Sequence, residues 1–176
     1  VFDDVDAEPI PSLLRGFSAP VRLHYDYSRD DLLFLMVNDS DGFNRWNASQ
    51  LLAIDLFDEL QGELVAGNTL ALPESLVEAY TGVLNSTLED PDLDKAMVAQ
   101  LLSLPTVGFL IEKADVADVA SIFAVREFLL NGLADALYPL FLQVYKRNAS
   151  DADYAADAES IARRSLKNLA LSYLVR

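Results

Sequence analysis

Residue 38 divides two kinds of hydrophobic spacing, and that change constrains the fold more than any other feature of the chain. Before it, Val21, Leu23, Tyr25 and Tyr27 alternate with period two. Leu32-Leu33-Phe34-Leu35-Met36-Val37 follows as a short apolar run, and Ser28-Arg29-Asp30-Asp31 lies between as a polar turn. Pro9, Pro11 and Pro20 punctuate the approach, and proline biases its predecessor towards extended backbone. This pattern predicts a β-hairpin over residues 21–37. Two strands are marginal alone in water, so the hairpin needs the helices or further strands to pack on. An unpartnered hairpin edge is also expected to promote self-association.

From Asn38 onward the period is helical. Asp39 or Ser40 is placed to cap a first helix. Phe43, Trp46, Gln50, Ile54, Phe57, Leu60 and Leu64 form its stripe, ending near Gly62 and Gly67. Leu72-Pro73-Glu74 opens the next helix, with Leu76, Val77, Tyr80 and Leu84 on its apolar side. Asp90-Pro91-Asp92 starts another, carrying Leu93, Met97, Leu101 and Leu102. Leu104-Pro105-Thr106 stops it and begins a short one. The longest pattern starts at Asp115 or Asp118 and runs from Val119 to Tyr145, with Pro139 expected to kink or divide it. After a polar break over 148–153, Ala158, Ile161, Ala162, Ser165, Leu166, Leu169, Ala170, Tyr173 and Leu174 make one continuous face. The expected fold is mainly α: an antiparallel, solenoid-like helical array preceded by a β-hairpin.

Composition narrows the function. The 176 residues carry a formal charge of −15, with a pI of about 4.2. A field of that sign repels phosphate backbones and anionic lipid, so neither nucleic acid nor membrane is an expected partner. A hydrophobic fraction of 52% supplies a sizeable core. The absence of cysteine removes disulfides, thiolate metal sites and a thiol nucleophile, and suits a cytoplasmic protein. The opening Val1-Phe2-Asp3-Asp4-Val5 has no signal-peptide character and suits a chain cut from within a longer one.

Few residues suggest chemistry. His24 is the single histidine and reads as a surface or interface residue of the first strand. The acid pairs Asp3-Asp4, Asp30-Asp31 and Glu89-Asp90 lack calcium-loop spacing, and Asp39-Ser40-Asp41-Gly42 is better explained by helix capping. Trp46 reads as core. Arg15, Arg45 and Arg126 read as structural cations seeking an acid partner or snorkelling. The sequons at Asn47, Asn85 and Asn148 carry weight only in a secreted eukaryotic protein.

Two runs are more specific: Pro11-Ser12-Leu13-Leu14-Arg15-Gly16-Phe17-Ser18-Ala19-Pro20-Val21, and Asp39-Ser40-Asp41-Gly42-Phe43-Asn44-Arg45-Trp46-Asn47-Ala48-Ser49-Gln50. Together they resemble a stretch of the bacterial aminopeptidase N family, the zinc-dependent alanyl aminopeptidases. Val125-Arg126-Glu127 and the run from Ile161-Ala162-Arg163-Arg164 to Tyr173-Leu174 agree with that family's helical domain.

The resemblance implies that residues 1–38 are the end of a β-sandwich domain and 39–176 the first part of a helical domain. It implies a non-catalytic structural piece of an enzyme that removes N-terminal residues from peptides, the helices walling the substrate chamber. The partners would then be the remaining domains of that enzyme and, through it, peptide. Zinc would belong to the larger enzyme. The family's helical H-E-x-x-H cannot be written in a chain with one histidine, so no catalytic, cofactor or metal residue is assigned here. The alternative is a free-standing helical-repeat interaction module.

Overall fold

The computed structural model describes residues 8–17, 21, 23–114 and 116–176. Among them are seven α-helices, one short 3-10 turn at Arg15–Phe17 and no strand. The helices are α1 (Arg29–Asn38), α2 (Gly42–Val65), α3 (Glu74–Glu89), α4 (Lys95–Leu101), α5 (Val107–Lys113), α6 (Val119–Arg147) and α7 (Ala158–Leu174).

The second arm of the expected hairpin is α1. Ser28 accepts from the Asp31 N–H at 3.1 Å, while the Asp31 carboxylate accepts from the Ser28 N–H at 3.0 Å. This reciprocal capping box fixes a helix start inside what reads as a turn. Leu32, Leu35 and Met36 then bury one side of α1, which packs against α2 and α3. Of the first arm, residues 21 and 23–27 are irregular, with Val21, Leu23 and Tyr25 exposed. Residues 1–7, with the Asp3-Asp4 pair, lie outside the described residues.

Most other helix starts carry a side-chain cap. Asp41, Asp94, Thr106, Asp118 and Asp157 each accept from backbone N–H groups of the first turn of α2, α4, α5, α6 and α7. The helix expected at Asp90-Pro91-Asp92 begins later, because Asp94 holds two N–H groups at 3.0 Å while Asp90 closes α3. At the other end of α2, the Asn68 N–H donates to the Glu63 carbonyl and the Gly67 N–H to that of Leu64. Gly67, at φ 77°, makes this left-handed stop without a Cβ penalty.

One core runs through all the helices except the outer surfaces of α5. α6 lies at its centre, touching α2, α3, α5 and α7. Leu129, Leu133, Phe141 and Val144 are fully buried there, and Phe141 stacks on Tyr173 of α7 at 4.3 Å. Pro139 neither divides nor ends α6. It sits on the exposed face, where water can serve the Asp135 carbonyl that a proline leaves unpaired.

The buried face of α2 differs from the expected stripe. Ala48, Leu52, Ala53, Leu56, Phe57 and Leu60 are inside, while Trp46 is half-buried beside Phe43 at 5.5 Å. Small residues carry part of this face, so a reading led by aromatics places it one or two positions off.

Candidate functional site

The two specific sequence runs meet in space. The corner between α1 and α2 holds Asp39, Ser40 and Asp41, and the leading segment folds onto it. Ser12 Oγ donates to Asp39 Oδ2 at 2.5 Å, and Arg15 Nη1 to Asp39 Oδ1 at 2.7 Å. Arg15 Nη2 reaches Ser40 Oγ at 2.7 Å. The Gly16 N–H donates to Asp41 Oδ2 at 2.9 Å, while Asp41 Oδ1 caps α2 through the Asn44 N–H at 3.0 Å. Asn44 is itself buried, and its Nδ2 donates to Ser12 Oγ and the Leu13 carbonyl, each at 2.9 Å.

Left-handed backbone makes this hook. Leu14 has φ 54° and Gly16 φ 62°. Glycine adopts that region freely, whereas for leucine it costs roughly 1–2 kcal/mol. The turn aims both the Arg15 guanidinium and the Gly16 N–H back at the corner. Below it, Tyr27 donates to the Pro11 carbonyl at 2.8 Å. Burial, then the neighbouring Tyr25, push the Tyr27 phenol pKa up.

Asp39 is the electrostatic centre. Its side chain is 1% exposed. Burial opposes its charge, but the Ser12 hydroxyl, the Asp41 N–H and Arg15 outweigh it and hold the carboxyl below the usual range. Arg45 lies close by, and its Nε donates to the Met36 carbonyl at 3.0 Å, satisfying the last turn of α1. Burial holds Arg45 below the ordinary guanidinium range, partly countered by Asp39.

Beside the hook a groove of about 510 Å³ opens between the start of α2 and the α3–α4 loop, lined among others by Gly16, Asp41, Arg45, Asp92, Leu93 and Met97. It brings carboxylates and aliphatic side chains together without a histidine. His24 is exposed on the irregular segment. Among the described residues no group of three or more His, Asp or Glu could hold a metal. With His24 alone and no cysteine, these residues do not fit a zinc site.

The remaining singled-out residues serve the fold. Arg126 Nε donates to the Pro105 carbonyl at 2.9 Å. Arg15 finds the acid partner expected of it, while Arg45 takes a carbonyl. Asp30 and Asp31 occupy the first turn of α1, and Asp90 accepts from the Asp92 N–H. Asn148 is buried and donates to the Val144 carbonyl at 2.8 Å. Sequence reasoning placed Tyr80 and Tyr173 on apolar faces, where both are buried, but missed that their hydroxyls both donate to the Leu102 carbonyl, at 3.3 and 2.9 Å, closing the end of α4.

A helical array entered through a pinned leading segment is the class this geometry defines. The chain belongs to the family described as "Domain of unknown function (DUF3458_C) ARM repeats", whose model matches residues 29–176. It is homologous to part of aminopeptidase N: 37% identical over 174 residues to the Escherichia coli protein, covering 99% of this chain and 19% of that one. The Caulobacter vibrioides aminopeptidase N is 33% identical over 168 residues, covering 95% of this chain and 18% of that one. Among solved structures, Legionella pneumophila aminopeptidase A, determined in complex with aspartic acid, superposes with a TM-score of 0.80 at 33% identity, covering 99% of this chain and 20% of that one. The chain thus spans about a fifth of the length of the relatives it matches. Among the described residues no helix is long and apolar enough to cross a membrane.

Proposed function

We propose that this chain is a non-catalytic helical piece of a cytoplasmic zinc-dependent aminopeptidase, a scaffold that helps wall the chamber in which peptides lose their N-terminal residues. The observation that carries this reading is the match of 174 residues, 99% of the chain, to one continuous fifth of the Escherichia coli aminopeptidase N. Catalysis then belongs to the other four-fifths, where zinc ligands must lie, because His24 and scattered carboxylates do not make a site here. A wall carrying −15 favours the ammonium end of a peptide over its carboxylate end.

The boundary between the preceding domain and the helical one falls at 28/29 in this reading, and not at 38/39. Two observations support the change: α1 packs on α2 and α3, and the family match begins at residue 29. The leading residues are then the end of the preceding domain, tied to the helices through Asp39 and Asp41.

Sequencing the natural coding region tests the reading. An upstream H-E-x-x-H in the same open reading frame is expected. A natural start codon immediately before Val1 would overturn it.

A further inference from the structure

We propose that residues 8–17 form a strap that opens and closes on the α1–α2 corner as a unit, with Asp39 as its clasp. The strap is fastened mainly by polar groups. Ser12, Arg15 and Gly16 reach the carboxylates of Asp39 and Asp41, and Asn44 reaches back to Ser12 and Leu13. No residue from 8 to 16 is fully buried. Ile10 is the strap's apolar anchor against the core.

The left-handed Leu14 works against closure. A segment with little buried apolar area, held by charge-assisted bonds against backbone strain, opens at a lower free energy than helices with buried faces. The clasp is nevertheless strong while shut, because the Asp39 side chain is only 1% exposed and its carboxylate accepts from Ser12, Arg15 and the Asp41 N–H together. Removing its charge leaves Ser12, Arg15 and the Asp41 N–H without an anionic acceptor.

Beneath the strap a cavity of about 20 Å³ is bounded by Leu13, Tyr27, Leu35, Ala48 and Leu51, so opening uncovers one side of α1 and α2. The device decides whether chain ahead of α1 moves with the helical array or separately. It stands on the geometry of this corner alone and does not depend on the aminopeptidase reading.

Amide hydrogen exchange on the full chain tests it. The Gly16 N–H, bonded to Asp41, reports the strap, and the amides of Leu52, Leu56 and Phe57 report α2. In the unaltered chain Gly16 is expected to be protected but to exchange faster than the α2 amides, which marks a separate opening. Asp39→Asn is expected to speed Gly16 exchange by about 10- to 100-fold while leaving it faster than the α2 amides. Arg15→Ala, a change at a half-exposed side chain, is expected to act in the same direction without endangering the fold. Three results would overturn the proposal: Gly16 unprotected in the unaltered chain; neither variant changing Gly16 exchange; or Gly16 as strongly protected as the α2 amides in the unaltered chain, so that the two open only together.

Discussion

Asp39 combines near-complete burial with a full set of donors, and its environment fixes a sign for pH dependence. Its folded pKa is held below the ordinary carboxylate value of about 3.9. The stability it contributes is therefore fully present above that value and is lost as pH falls through the lower, folded pKa. The clasp stays shut through mild acid. Asp39→Asn should lower unfolding free energy by roughly 1–2 kcal/mol at pH 7. That gap should narrow as the pH drops below about 4, where the unaltered chain also loses the charge. Urea melts of both proteins at pH 7, 5 and 3 measure it, and a gap independent of pH would show that the Asp39 charge does not contribute.

At this scale the sequence is only half informative. Both runs containing Arg15 and Asp39 stand out as specific, but their pairing spans 24 residues of sequence and needs the left-handed turn at Leu14, for which leucine gives no signal. The role of Asp41 as helix cap is legible, since an acid before a helical period is a capping signal.

The helices α2 to α7 were readable as elements, because an acid, threonine or proline marks each start and all but the short α5 show a 3.6-residue period. α1 was not. Leu32 to Val37 is apolar at six successive positions, which carries no period and fits a strand as well as a helix. The deciding signal is upstream: Ser28 and Asp31 have the spacing of a capping box. Leucine and methionine in that run also favour helix.

Pro139 gives a test at the same scale. Packing on α2, α3 and α7 holds α6 together despite a missing backbone bond on its exposed side. Pro139→Ala restores that N–H and the better helix former. It should stabilise the chain by about 1–3 kcal/mol, read as a higher melting temperature with unchanged helicity. A lower melting temperature would mean that α6 depends on a bend at this proline.

For the whole molecule, the described residues form one helical array. One core joins all seven helices, and buried phenols, caps and a polar clasp satisfy its backbone ends. The sequence holds one histidine, so an H-E-x-x-H cannot be written in it, a property of residue identity that no rearrangement of the fold changes. The solenoid-like class was legible from the stacked helical periods, whereas the ARM-repeat relationship was not, because the helices differ in length from 7 to 29 residues and share no fixed sequence period.

The central proposal is that this chain is a piece of a larger protein that hydrolyses peptides and does not carry out that hydrolysis itself. Zinc content and turnover of alanyl p-nitroanilide, measured side by side on the purified chain and on the natural full-length product containing it, test that most directly. The expected result is stoichiometric zinc and chelator-sensitive turnover in the full-length product, with neither in the chain. Chelator-sensitive turnover that stays with the chain through purification, or a full-length product devoid of both zinc and turnover, would contradict it.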